Sequence, residues 1–267
     1  MGLLAARHAD WLAQLRAGAQ QPPARPRVPL WWRDAAIGSV EPEFLDRIGL
    51  ASDTAGPLLW RTGQGWHLGG ELTATLGRLA LALREAGLAH AWRDEQLAVR
   101  DAQGRMLGTV ERAVVRPLGI ATSAVHLLAL APHGEHWVQR RALTKANDPG
   151  LWDTLMGGMV PATDTPEQAL ARETWEEAGL RLEQLRGLAW GGRLASRRPR
   201  AESRGGGGYV VEHIDWWTCV VPDGVWPANQ DGEVDEFRLM PADEVVARLL
   251  AGEFTTEAAL LLAAAGL

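Results

Sequence analysis

Residues 158–180, GMVPATDTPEQALARETWEEAGL, place three glutamates, Glu173, Glu176 and Glu177, within five positions of one segment. The flanks predict a helix. Thr165 is a capping residue, Pro166 suits the first turn, and Gln168 stands three after Thr165, as in a capping box. Gly179 supplies the left-handed residue that stops the helix. At positions i, i+3 and i+4 the three carboxylates emerge on one face, with Leu170, Ala171, Thr174, Trp175 and Ala178 on the less polar side. Like charges so spaced repel by roughly 0.2–0.5 kcal/mol per pair. One explanation is an ordinary solvated face. The other is a site for a cation, because carboxylate oxygens are the ligands that magnesium and manganese select.

The spacing around the helix separates the two. Gly158, five residues, Asp164, seven residues, then Arg172-Glu173-Thr174-Trp175-Glu176-Glu177-Ala178-Gly179-Leu180 resembles the Nudix box. Two positions depart from it: Asp164 stands where the family has glutamate, and Thr174 where it prefers an aliphatic residue. Asp164 keeps the charge on a shorter arm; Thr174 weakens helix packing slightly. The resemblance implies that Glu173, Glu176 and Glu177 bind Mg2+ (or Mn2+), which bridges diphosphate oxygens and activates a water. It implies that Arg172 holds the helix and a glutamate in place. Gly158 is expected to let the backbone turn tightly between strand and helix. The general base of this family often comes from a late loop. Glu233 in DGEVDEF is the candidate here and Glu236 the second.

Around the box, the pattern from Gly119 onward predicts a buried strand in IATSAVHLLALAP, a turn at HGEH and a returning strand in WVQRRAL. After the glutamate helix, RGLAWGGRLASRR and GYVVEHIDWWTCVV read as strands flanking an arginine- and glycine-rich loop. DGEVDEFRLMP reads as a further strand and ADEVVARLL as a helix ending near Gly252. Strands with helices interspersed, not in strict alternation, argue an α/β fold with a mixed sheet, in keeping with the Nudix α/β/α sandwich. Residues 116–267 form this domain. Residues 1–115 form a smaller α/β accessory domain with an amphipathic helix over 3–17. LWWRDAAIGSVEPEFLDRI reads as strand, turn and short helix. A strong helix follows over 71–88 with Leu72, Leu76, Leu79 and Leu83 on one face, then a hairpin across DAQG. No metal or nucleophile spacing occurs there.

The 267 residues carry a net charge of −6, which disfavours a broad nucleic-acid surface. One cysteine, Cys219, rules out a disulfide framework or a multi-thiolate zinc site within the chain and suits a reducing, cytoplasmic setting. It is expected to be a buried apolar group. The first residues, broken by charges, are neither a signal-peptide core nor a membrane span. Arg140, Arg141 and Lys145, the sole lysine, precede the box and are candidates to grip a diphosphate. A solvated strand end is the alternative. Trp152, Trp216 and Trp217 are stacking candidates, but with thirteen tryptophans core packing is the stronger expectation for each. His126 is expected to be a satisfied core histidine. SRRPR, 196–200, is either a loop over the pocket or a solvated turn.

Among Nudix groups, the NADH diphosphatases carry a four-cysteine zinc site, and isopentenyl-diphosphate isomerase needs a cysteine where this chain has TLMGGMV. Neither fits. ERAVVRPLGIATSAVHLLAL, RRALTKANDPGLWDTLMGGMV, the box and DGEVDEFRLMPADEV are similar to the Nudix proteins related to thiamine pyrophosphokinase. That resemblance implies hydrolysis of thiamine diphosphate, especially its oxidised forms, to the monophosphate. The alternatives are a hydrolase of nucleoside or other organic diphosphates, and a non-catalytic ligand sensor on the same scaffold.

Overall fold

The computed structural model describes residues 3–50, 56–89, 91–201 and 207–267. Two helices open the chain, α1 (Leu3–Arg7) and α2 (Ala9–Gly18), so the single helix expected over 3–17 is divided at His8, whose ψ of 42° is not helical. Strands β1 (Val28–Trp32), β2 (Ala35–Val40), β3 (Leu59–Thr62) and β4 (Gly65–Leu68) form a sheet in the order β2-β1-β4-β3. Here the expected strand, turn and short helix becomes a hairpin followed by a single 3-10 turn, Leu45–Arg47. Helix α3 (Leu72–Glu85) lies as its leucine spacing predicts: Leu72, Leu76, Leu79 and Leu83 are all fully buried. The Glu71 side chain caps it by accepting from Thr73 and Ala74 N–H, and Gly87 follows with φ +69°. The hairpin across DAQG is β5 (Gln96–Arg100) with β6 (Met106–Glu111).

The larger body contains β7 (Thr122–Leu130), β8 (His136–Arg141), β9 (Trp152–Asp153), β10 (Met156–Met159), α4 (Pro166–Ala178), β11 (Arg186–Ala201), β12 (Gly207–Val220), β13 (Val234–Met240), α5 (Ala242–Leu250) and α6 (Thr256–Ala264). Its sheet runs β11-β12-β7-β8-β13, with β10 on β7 and β9 on β8; β12 and β7 are parallel and the other neighbours antiparallel. The sheet is therefore mixed. Helix α4 covers one face through Ala169, Leu170 and Ala178, while α5 and α6 cover the other through Val245, Leu249, Leu261 and Leu262. Helices on both faces of one mixed sheet make an α/β/α sandwich. Alternate residues of β7 serve the two cores, Ala124 and Leu128 on one side and Val125, Leu127 and Ala129 on the other, as the two-residue period of a strand requires.

The core of the first region draws on residues from Leu30 to Ile120. Leu4 is buried instead beside α6, and its N–H donates to the Leu267 carbonyl at 3.0 Å. The opening helices thus pack on the larger body although they precede the first sheet in sequence. The arginines of SRRPR lie in strand β11, paired residue by residue with β12, and not in a loop or turn. Much of the glycine-rich loop, 202–206, lies outside the described residues. No helix among the described residues is long and apolar enough to cross a membrane.

Candidate active site

Strands β7 and β8 pair through only two positions, Ala129 with Trp137 and Leu130 with His136. Beyond them β10 takes the place of β8 along β7, pairing Met156 with Leu127 through Met159 with Ala124. The site forms where the sheet divides. Helix α4 is fixed there by its local sequence. Thr165 Oγ1 accepts from Gln168 N–H at 3.3 Å, Gln168 Oε1 accepts from Thr165 N–H at 2.8 Å, and Gly179 ends the helix at φ +63°.

The three glutamates occupy different environments. Glu177 is 1% exposed; its Oε2 accepts from Gln139 Nε2 at 2.8 Å and from Gly157 N–H at 3.0 Å. Glu173 retains 14% of its side-chain exposure and Glu176 41%. The solvated-face alternative therefore fits Glu176 alone. A Cβ on Gly158 would lie 2.1 Å from Glu173 Cδ, and one on Gly157 2.4 Å from His126 Cε1. Gly158 lies within β10 without a positive φ, which corrects its expected role: it admits close approach of a side chain instead of a tight turn.

Two cations sit among the acids. Arg172 Nη1 donates to Glu173 Oε1 at 3.0 Å and Glu176 Oε2 at 2.8 Å, and its Nε to Asp164 Oδ2 at 3.0 Å. Asp164 reaches its partner despite the shorter arm. Burial would lower the Arg172 pKa, but Glu173, Asp164 and Glu176 outweigh it and raise it. Lys145 donates to Glu177 Oε1 at 3.4 Å and to Glu233 Oε2. Burial, and then the charge of Glu177, pushes Glu173 up to about 7. Burial also raises Glu177, against Lys145, the Gly157 N–H and Gln139. Glu233 is lowered because Lys145 outweighs its burial. The repulsion anticipated between unpaired glutamates is thus already partly offset by Arg172 and Lys145.

A cavity of about 440 Å³ opens here, with Lys145, Arg141, Gly158, Arg172, Glu173, Glu176 and Glu233 in its wall. Arg140 is elsewhere. Successive strand residues face opposite ways, so Arg141 pairs with Asp153 Oδ2 at 3.1 Å beside the cavity while Arg140 lines a separate cleft with Trp152 and Glu236. Glu236, the second candidate base, is removed from the cluster by the same alternation. Trp152, Trp216 and Trp217 are core residues, each under 9% exposed. Cys219 is buried, its thiol pushed up to about 12 by burial. His126 is buried and bonded to Thr154 Oγ1 at 2.9 Å, and it also reaches the cavity floor.

Further charged residues line the wall, among them Arg93, Arg112 and Arg116 from the first region and Arg198, Arg200, Glu212 and Glu257 from the sandwich, and of these only Arg198 and Arg200, in SRRPR, were expected near a pocket. Scattered over five elements or connections, they have no common spacing. The RRPR run was the one available signal. Chemically, the site offers hard carboxylate oxygens suited to Mg2+ or Mn2+, gathered on one helix. Among the described residues no three acidic or imidazole groups converge on a single point.

The NUDIX domain model matches residues 121–262. An uncharacterized Nudix hydrolase of Pseudomonas aeruginosa is 42% identical over 87 residues, 33% of this chain and 52% of that protein. An uncharacterized protein of Saccharomyces cerevisiae is 26% identical over 187 residues, 64% of this chain and 53% of that one. The chain thus spans about half the length of these curated relatives. A crystal structure from Deinococcus radiodurans superposes with a TM-score of 0.46 at 20% identity, covering 60% of this chain and 92% of that one. With more than half of its residues matched by that domain model, from the first strand of the sandwich to its last helix, the chain belongs to the NUDIX family.

Proposed function

We propose that the protein is a divalent-metal-dependent hydrolase of an organic diphosphate, with oxidised thiamine diphosphates as substrates and monophosphates as products. The observation that carries the metal chemistry is Glu177, buried, held by Gln139 and Gly157 N–H and facing Lys145. Glu173, Glu176 and Glu177 would hold Mg2+ or Mn2+. When bound, such an ion neutralises charge on the diphosphate and makes water a stronger nucleophile. Arg172 keeps Glu173 and Glu176 oriented. Lys145 reaches both Glu177 and Glu233, and so can pass from carboxylates to a phosphate oxygen as substrate enters. Glu233, ionised at neutral pH, accepts the proton of the attacking water. The intact acidic set weighs against a pure sensor. A cytoplasmic setting, and an accessory role for residues 1–115 in walling the cavity, belong to the same proposal.

Arg141, which lines the cavity, is the proposed grip on the diphosphate, while Arg140 lines a separate cleft. Arg141→Ala is expected to raise KM about tenfold, the size of one charge-assisted hydrogen bond, and Arg140→Ala to leave it within about twofold. Steady-state phosphate release measures both, and equal effects would remove Arg141 from the site.

Intact thiamine diphosphate carries a cationic thiazolium, whereas its oxidised forms have lost that charge. Arg116, Arg198 and Arg200 stand in the wall, Arg198 and Arg200 paired with Glu257 and Asp148, and a ring without positive charge adds no repulsion to them. A tenfold higher kcat/KM for the oxidised forms needs only about 1.4 kcal/mol of differential transition-state binding. Phosphate release at matched magnesium from each compound tests it. Equal rates, or a preference for nucleotide sugars, would keep the metal chemistry and remove the thiamine assignment.

A further inference from the structure

Among the described residues, eight basic and nine acidic side chains line the cavity. The wall therefore holds no surplus of positive charge for an organic diphosphate, which brings more negative charge. Seven of the eight basic groups already have polar partners. Arg141, Lys145, Arg172 and Arg198 are engaged by acids. Arg112 donates to Glu95 at 2.6 Å, Arg116 to Asn147 at 3.0 Å and Arg200 to Asp148 at 3.1 Å. Arg93 is the exception. Its guanidinium makes no hydrogen bond or ion pair with any described residue.

The Arg93 main chain is fixed while its side chain is not. Its N–H donates to Glu111 Oε1 at 3.0 Å, and the same buried carboxyl caps the 3-10 turn Arg112–Val114 through Ala113 N–H. The preceding Trp92 Nε1–H donates to Asp94 Oδ1 at 2.6 Å, tying the two residues that flank Arg93. The exposed guanidinium thus extends from an anchored base into the cavity. Its charge is felt where the acids gather. Burial would raise Glu233, but Lys145, and then Arg112 and Arg93, lower it, and Lys145 joins Glu233 to Glu177. With no partner in the fold, this side chain contributes no ion pair to stability. An unengaged planar fork beside the proposed metal ligands matches two oxygens of one phosphate group.

We propose that Arg93, supplied by the first region, is a substrate-binding residue that grips the diphosphate, so that the site is incomplete without residues 1–115. The kinetic part rests on the hydrolase proposal; the binding part does not. Phosphate release by the full chain is measured on an oxidised thiamine diphosphate and on ADP, which share the diphosphate and differ in the ring. Arg93→Ala should raise KM about tenfold for each compound turned over, moving kcat less, with Tm within about 2 °C of wild type. Arg93→Lys keeps the charge without the fork and should return KM to within about threefold of wild type. Arg186→Ala removes an exposed arginine outside the cavity and should leave KM within about twofold, since distant surface charges are screened. Calorimetry with methylenediphosphonate and magnesium reads the grip without turnover, and Arg93→Ala should weaken that binding about tenfold. Weaker binding of this analogue in Arg93→Ala without turnover of any diphosphate would support the grip and defeat the hydrolase proposal. Unchanged KM and analogue affinity in Arg93→Ala, or a KM rise confined to one of two compounds turned over, would overturn the grip and leave hydrolysis standing. A wild type that neither turns over a diphosphate nor binds the analogue would overturn both.

Discussion

Glu177→Gln is expected to lower kcat/KM by roughly 10²-fold or more at saturating magnesium, with the fold intact. Groups one step removed from a metal already cost about 10–100-fold when changed, and a ligand does more. Glutamine has nearly the same shape, so Gln139 Nε2 and Gly157 N–H keep an acceptor. What changes is the other end, where an amide donor replaces Oε1 and faces the Lys145 ammonium. Lys145 keeps Glu233 as its partner, so no charge is abandoned, and removing a buried carboxylate offsets the lost pair. Tm should stay within about 3 °C of wild type, under about 1 kcal/mol in a chain of this size. The slight apo stabilisation that repulsion alone would suggest shrinks, because Arg172 and Lys145 already neutralise much of it. Burial orders the series: Glu177→Gln first, Glu173→Gln next, and the half-exposed Glu176→Gln last, at about tenfold. Magnesium titrations of turnover, with metal binding followed separately by calorimetry, check each. A Glu177→Gln enzyme with wild-type turnover would remove the metal assignment.

Helix α4 was legible because its signals are local. A capping box, a proline in the first turn and a terminal glycine act within one or two turns, and the leucine spacing of α3 is equally self-contained. The site around α4 was only half legible, because it depends on which strands are neighbours. Arg198 and Arg200 read as loop residues beside a glycine run. Pairing with β12 makes them strand and aims them at Glu257 and Asp148. Glu212 sits mid-strand in YVVEHID, and nothing near it in sequence names Thr122 or Glu257 as its neighbours. Arg140 and Arg141 form the instructive pair. Strand alternation allowed only one of them into the cavity, yet their shared charge made them look equivalent. At Gly158 the expected turn is replaced by a close contact 15 residues away in sequence, where Glu173 lies.

That contact supplies the second large effect. A Cβ at position 158 would stand 2.1 Å from Glu173 Cδ and 2.3 Å from its Oε1, so something must move. Backbone motion would disturb the β10–β7 pairing that also places Gly157 N–H on Glu177. Glu173 is the softer element, though Arg172 holds it at 3.0 Å and it is largely buried. Overpacking of this kind costs about 1–3 kcal/mol, or a Tm drop of about 3–10 °C. Displacing a working carboxylate by about 1 Å costs roughly 10²-fold in rate, so Gly158→Ala is expected to lose about that much kcat/KM while remaining folded. Gly77→Ala serves as the contrast. Gly77 lies within α3 with nothing within 4 Å of an added Cβ, so alanine there should stabilise by about 0.5–1 kcal/mol and leave turnover alone. Gly158→Ala combined with Glu173→Asp separates packing from chemistry. The shorter side chain relieves the clash and should recover most of the lost Tm, but its carboxylate no longer reaches the same point and activity stays low. Recovery of both together would show that the carboxylate position at residue 173 is not what the reaction needs, and wild-type activity in Gly158→Ala alone would show it more directly.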